Sequence, residues 1–357
     1  MTNRVHIDGR DGEGGGQVLR TALALSLVTG RGFEIEDIRG RRHKPGLRRQ
    51  HIVAVQAARD IGSARVVGDT LGSSFLSFEP GTVTHGDRTW SIGTAGSTAL
   101  VFQTILWPLL VAPGRSRIVI EGGTHAPLAP TIDTLQDAFL PALAGFGVAT
   151  APLTSSSAPA VELTLERHGF MPAGGGRVVC TVHGGGALRP MSLLQRGVLR
   201  AVHARALVAR LSRDVAKREL EVVQKHIPIE ARMGGEALRL VEVDSVGPGN
   251  ALQIVVHSEH MTEAFQAVGE KNVPAEAVAM WAVDEVHAYL ASQAPVGPHL
   301  ADQLLIPLAL AGEGAFVTPA VTEHTRTNAR LIERFCPVRF RIEAGSNGGA
   351  HIAVGRA

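Results

Sequence analysis

The feature that most restricts the fold of this 357-residue chain is a pattern that occurs three times: a helix closed by glycine, a short strand, then a histidine-bearing loop that leads into a second helix. Copy one offers a strand near 5–7, a glycine loop, a helix over 18–29 stopped by Gly30, a strand at 33–39 and a helix over 47–61 before Gly62. Copy two offers the small-residue loop 93–97, a helix ending near Gly114, a strand at 117–121 and a helix over 131–146. Copy three offers a helix over 298–311, Gly312, a strand at 315–318, the loop 321–328 and a helix over 329–335. Aligned on Gly30, Gly114 and Gly312, the copies put His43, His125 and His324 in equivalent loops. Internal repetition of this kind sets architecture before any single motif does.

The spacing of the copies is uneven. Gly114 follows Gly30 by 84 residues, whereas Gly312 follows Gly114 by 198, an excess of 114. That excess suffices for a small domain. Residues 185–275 supply it, with strands expected at 197–204, 238–243 and 251–256 and a helix over 212–226 that starts at a Ser N-cap. The expected fold is therefore α+β: repeated units in a discontinuous large domain (1–184 and 276–357), with an α/β domain over 185–275 inserted before the last unit.

Composition removes several function classes. Hydrophobic residues make up 45% of the chain, enough for a large core, while a net charge of +2 leaves any nucleic-acid role to local clusters of Lys and Arg. Two cysteines and 4% aromatics argue against a disulfide framework and against a surface built mainly for base stacking. No secretory signal is read at the start. The most apolar stretch, 97–112, is short, carries Gln103 and is interrupted by Pro108, so a buried core helix is expected there. A cytosolic protein with no membrane association follows as the expectation.

One stretch concentrates cations. Residues 39–51 contain Arg39, Arg41, Arg42, His43, Lys44, Arg48, Arg49 and His51 without an acid, in a loop that runs into a helix. Pro45 suits a first helical turn, and Gly46 lets a ligand approach the backbone. Together they provide N–H groups and fixed charge for phosphates. A run of this kind is equally a solvated basic turn when taken alone. The glycine loop at 9–16 lacks the Gly-Lys-Ser/Thr of a P-loop, and Gln17 stands where the dinucleotide fingerprint needs glycine. No Gly-x-Ser-x-Gly elbow, His-Glu-x-x-His helix or Cys-x-x-Cys pair is present. Polar groups in the repeated loops and helices remain: Glu13 and Arg20 in copy one, Gln103 in copy two, and His299, Asp302 and Gln303 in copy three, the last set on one helical face.

Taken together, Gly12-Glu13-Gly14-Gly15-Gly16-Gln17-Val18-Leu19-Arg20, Arg39 with Lys44-Pro45-Gly46-Leu47 and Arg49-Gln50-His51, Gly122-Gly123-Thr124, Pro172-Ala173-Gly174-Gly175-Gly176 and Leu300-Ala301-Asp302-Gln303-Leu304 resemble the RNA 3′-terminal phosphate cyclases. The resemblance implies repeated units of two helices on a four-stranded sheet with an inserted domain. It also implies a catalytic histidine, which a cyclase-like branch of the family in ribosome biogenesis lacks. His324 stands at that position.

By the same resemblance, His324 attacks the α-phosphorus of ATP. The AMP then passes to an RNA with a 3′-terminal phosphate, which closes to a 2′,3′-cyclic phosphate. Arg20, Arg39 and Arg42 are expected on phosphates, with Arg49, Gln50 and His51 on the triphosphate or RNA end. Glu13 is expected on Mg²⁺ or Mn²⁺, and Gln103, His299, Asp302 and Gln303 around the adenylate. His299 departs from the aromatic Tyr or Phe common in the family. Two other readings stay open at this point: a non-catalytic RNA-assembly protein, and an enolpyruvyl-transferase-like enzyme acting on a phosphorylated small molecule.

Overall fold

Each repeat folds as strand, helix, strand, helix, strand, strand. The computed structural model describes residues 4–12, 15–150, 159–227, 237–345 and 349–357. The first unit comprises β1 (Val5–Asp8), α1 (Gln17–Thr29), β2 (Phe33–Glu36), α2 (Arg49–Gly62), β3 (Arg65–Val67) and β4 (Leu76–Glu79). The second comprises β5 (Asp87–Ser91), α3 (Thr98–Val111), β6 (Gly114–Gly122), α4 (132–146), β7 (Val161–Arg167) and β8 (Gly176–Gly184). The third opens with β9 (Met191–Leu193).

The chain then leaves for the inserted segment: β10 (Leu199–Ala209), α5 (Arg213–His226), β11 (Leu238–Glu242), β12 (Gly249–Ser258), β13 (Thr262–Val268) and α6 (Ala275–Ser292). It returns as α7 (Pro298–Ala311), β14 (Gly314–Thr318), α8 (Glu323–Phe335), β15 (Val338–Ala344) and β16 (Ala350–Arg356).

The three repeat sheets share one topology: β1-β2-β4-β3, β5-β6-β8-β7 and β9-β14-β16-β15. In each, the first pair is parallel and the remaining pairs are antiparallel. The inserted strands form a sheet of their own, β11-β10-β12-β13. The insertion interrupts the third unit between its first strand and first helix. In the first unit that connection is the glycine loop.

Apolar periodicity explains the packing. Helices α1, α2 and α3 pack on one another and α8 packs on α1, so Leu19, Leu23, Val55, Leu106 and Ile332 share one core. Buried on most of its circumference, α3 carries Pro108 internally without ending there. A second core lies in the insert, where Val202, Leu220 and Ile254 meet Val278, Val283 and Val286 of α6. The helix following residue 275 thus packs its buried face on the inserted sheet.

Two details of the repeat alignment change. Helix α3 is capped by Ala112, and Gly114 opens β6 at φ 145°, matching Gly314 at φ 145°; Gly312 is the left-handed cap of α7 at φ 79°. The helix-entry position of His324 is the second residue of α8, with Thr322 as N-cap. Counted from the caps Arg48 and Thr131, its counterparts are Gln50 and Asp133, not His43 and His125. The extra loop residues that sequence spacing hid are absorbed before the helices begin.

Candidate active site

The N-terminal turns of α1 and α8 face each other beside α7, and their side chains form a chain of hydrogen bonds. His324 Nδ1 lies 2.7 Å from Gln17 Oε1. Because an amide oxygen only accepts, Nδ1 carries a proton, and in the neutral imidazole the lone pair is then on Nε2. Gln17 is held in that orientation by Asp302, whose Oδ2 accepts from Gln17 Nε2. Asn328 Nδ2 donates to Asp302 Oδ1 (3.2 Å), and Thr21 donates to Asn328 Oδ1 (2.8 Å). Burial pushes the Asp302 carboxyl above the ordinary carboxylate range, opposed by Gln17, His324, Asn328 and Arg20.

Beside this chain, cationic and imidazole side chains gather at Gly15 and Gly16. Gly16 is the N-cap of α1, and no side-chain cap is seen there among the described residues, so the first-turn N–H groups are available to an anion. A Cβ on Gly16 would overlap His51 Nε2 and stand 2.8 Å from Arg20 Nη1. A Cβ on Gly15 would lie 3.2 Å from Arg42 Nη2 and 3.8 Å from His324 Cε1. These glycines let backbone, guanidinium groups and imidazoles converge on one spot. Burial holds the Arg20 guanidinium down to about 10, with Asp302 opposing and Arg39 adding to the shift, so it stays a cation at pH 7. His51 is buried and depressed to about 3 by desolvation and by Arg20, Arg39 and Arg48. It is neutral, accepts from Arg48 N through Nδ1 (3.1 Å), and so presents an Nε2–H beside Gly16.

The remaining expected residues divide. Gln103 Nε2 donates to Gln303 Oε1 at 2.8 Å, which joins the second and third units. His299 is exposed and pairs with Glu285 of α6 (3.2 Å), which raises its pKa, at the edge of a cavity of about 110 Å³ also lined by Glu263, Phe265, Tyr289 and Pro298. Arg39 donates to the carbonyls of Lys44 (2.6 Å) and Gly46 (3.1 Å), so part of its guanidinium holds the basic loop in shape. Gln50 Oε1 accepts from Ser97 N (3.1 Å), the small-residue loop of the second unit. Arg42 and Arg49 are exposed. Glu13 lies outside the described residues.

Pro45 and Gly46 behave differently from expectation. Helix α2 starts only at Arg49, and Gly46, at φ 76°, is pressed against Gly72 O. Its missing side chain serves contact between two loops of the chain, not the approach of a ligand.

The comparisons with known proteins address the whole chain. Residues 11–342 match the family described as RNA 3′-terminal phosphate cyclase. The RNA 3′-terminal phosphate cyclase of Pseudomonas fluorescens is 48% identical, aligned over 94% of this chain and 93% of its own length. The chain belongs to the RNA 3′-terminal phosphate cyclase family. Cyclases of that name from Salmonella enteritidis (44% identical over 98% of both chains) and Koribacter versatilis (45%, over 97% of this chain and 93% of that one) are similarly alike. The chain is therefore an enzyme of the cyclase family.

Sequence reasoning assigned no role to Gln17, Thr21 and Asn328 in this candidate site. Gln17 was weighed as the wrong residue for a dinucleotide loop and quoted within the family motif without a role of its own, although it is the first residue of α1 and its amide meets both His324 and Asp302. Asn328 lies four residues after His324, a spacing that puts both on one face of α8. Thr21 carries no sequence signal of its own. No helix among the described residues is long and apolar enough to cross a membrane.

Proposed function

We propose that the chain converts an RNA 3′-terminal phosphate into a 2′,3′-cyclic phosphate at the expense of ATP, through AMP carried on His324. The relationship that supports this most is the hydrogen bond from His324 Nδ1 to Gln17 Oε1, because in the neutral imidazole it selects the tautomer whose nucleophilic nitrogen is Nε2. In the first step Nε2 forms a bond to the α-phosphorus as the α–β phosphoanhydride breaks and pyrophosphate departs. The imidazolium charge that develops is taken up by Gln17 and, behind it, by Asp302. In the second step an oxygen of the RNA 3′-phosphate displaces Nε2 from phosphorus. In the third the adjacent 2′-hydroxyl loses its proton, attacks the 3′-phosphorus and expels AMP.

Each step gathers negative charge on phosphoryl oxygens, so Arg20, Arg42, the His51 Nε2–H and the first-turn N–H groups of α1 supply the stabilisation. Arg39, Arg49 and Gln50 extend that surface towards the triphosphate or RNA end. Gln103, Gln303 and Asp302 border the adenylate, and His299 lies at the rim of the neighbouring cavity. Glu13 remains our candidate ligand for Mg²⁺ or Mn²⁺, an ion that would neutralise phosphate charge. We group α6 with the inserted domain, on the packing of its buried face, and the rest of the flanking chain with the large domain. Two buried free thiols, Cys180 and Cys336, support a reducing cytosol as the compartment.

The test is incubation with ATP, a divalent ion and two RNAs that differ only in the 3′ end. Consumption of the 3′-phosphate end to a phosphatase-resistant product, with the 3′-hydroxyl RNA untouched, supports the reading. Stable RNA binding with no pyrophosphate release under any metal condition would instead favour an assembly role. Failure of 3′-phosphate RNA to compete for the site would favour small-molecule transfer.

A further inference from the structure

Away from the glycine loops, the second unit holds a cluster that the cyclisation chemistry does not use. His125 follows β6, Asp133 is the second residue of α4, and His168 follows β7. One ligand atom from each lies within 4.8 Å of the others. His125 and Asp133 are buried, with side chains 1% and 10% exposed, and His168 is half-buried.

The two most buried atoms are the informative ones. His125 Nε2 and Asp133 Oδ2 lie 2.7 Å apart and pair with each other, and neither atom has a further hydrogen-bond partner among the described residues. A buried pair is favourable only when further hydrogen bonds satisfy it, and these two atoms have none beyond each other among the described residues. The other positions on both side chains are already occupied. His125 Nδ1 is 2.9 Å from Thr124 Oγ1, which in turn accepts from Gly169 N. Asp133 Oδ1 is 2.9 Å from Arg205 of the inserted domain, and Arg205 also pairs with Asp137, one helical turn further along. Outer contacts of this kind fix the tautomer and aim of metal-binding histidines and carboxylates. A π turn over Leu135–Phe139 begins immediately after the Asp133 turn, a distortion frequent at functional sites.

We propose that His125, Asp133 and His168 bind a divalent first-row transition ion, of the Zn²⁺ class, through His125 Nε2, Asp133 Oδ2 and an imidazole nitrogen of His168. Two imidazoles and one carboxylate suit such an ion and do not suit Mg²⁺ or Ca²⁺, which take mainly oxygen. Tetrahedral bonds of ~2.0 Å place ligand atoms ~3.3 Å apart, between the shortest and widest separations of this set. Asp137 offsets Arg205, which leaves the Asp133 carboxylate to neutralise one of the ion's two positive charges. The position is a junction, since His168 bridges Ser245 and Arg205 comes from β10. An ion there fastens the second repeat to the inserted domain and is distinct from the divalent ion proposed at Glu13.

The experiment is titration of the full-length, tag-free, chelator-treated protein with Co²⁺, followed by its visible ligand-field absorption without ATP, and by thermal unfolding with Zn²⁺. The expected result is one Co²⁺ per chain, displaced by Zn²⁺ and unaffected by Glu13→Ala. Affinity should fall at least about tenfold in both His168→Ala and Asp133→Asn. Zn²⁺ should raise Tm in the wild type and not in His168→Ala, whose metal-free unfolding must stay cooperative; His168→Asn serves in its place if it does not. No low-coordinate Co²⁺ absorption in the wild type, absorption unchanged in both variants, or absorption lost on Glu13→Ala would overturn the site.

Discussion

His324 and Gln17, 307 residues apart in sequence, meet through a hydrogen bond of 2.7 Å from the imidazole Nδ1 to the amide Oε1. The bond joins the first helix of the first repeat to the second helix of the third, and Asp302 on α7 fixes its polarity. Three elements thus decide which imidazole nitrogen carries the lone pair.

Loss of that acceptor should slow chemistry more than binding. Gln17→Leu is expected to lower the rate of AMP transfer to the protein on the order of 10²-fold, with ATP affinity nearly unchanged, because the tautomer is no longer selected. Single-turnover rates and a separate ATP binding isotherm make the distinction. Equal losses in both would mean that Gln17 only shapes the pocket.

Gly16→Ala should do the reverse. The new Cβ would overlap His51 Nε2 and crowd Arg20 Nη1, so the proposed phosphate site is disturbed while the core beneath α1 is untouched. ATP affinity should fall by at least about tenfold, roughly 1.4 kcal/mol, with a small change in Tm. Calorimetric titration reads the first and thermal unfolding the second.

Stability should carry a pH signature from the insert. Glu219, on the buried face of α5 and hydrogen-bonded by Asn250 Nδ2, is raised from 4.5 to about 8 by desolvation. Between those values the folded chain keeps a proton that the unfolded chain has lost, so this group makes stability fall as pH rises from about 4.5 to 8. Glu219→Gln should flatten that part of the profile and gain stability relative to the wild type at pH 8 and above. Denaturant unfolding across the range measures it, and parallel wild-type and variant profiles would contradict the assignment.

The architecture was legible because each repeat buries helices on a sheet, and that burial leaves its periodicity in the sequence. The four inserted strands were less complete: β13 went unread because Thr262–Val268 follows the preceding strand at a tight turn. The repeat histidines were misaligned for a related reason. His43 and His125 share a loop with His324 by spacing, but helix caps, which sequence spacing does not fix, give the true counterparts Gln50 and Asp133. The basic loop was legible as charge. That Arg39 partly closes its own loop, and that Gly46 packs on Gly72, depends on contacts with distant turns. Gln17 was hidden because its partners lie 285 and 307 residues away.

The most direct measurement is transfer of label from ATP carrying a labelled α-phosphate to the protein, with a divalent ion and no RNA, followed by mapping of the modified peptide. The account predicts one acid-labile, base-stable AMP on His324, absent in His324→Ala and discharged by RNA with a 3′-terminal phosphate. A labelled adduct of undiminished yield in His324→Ala, or one mapped to another residue, would contradict it.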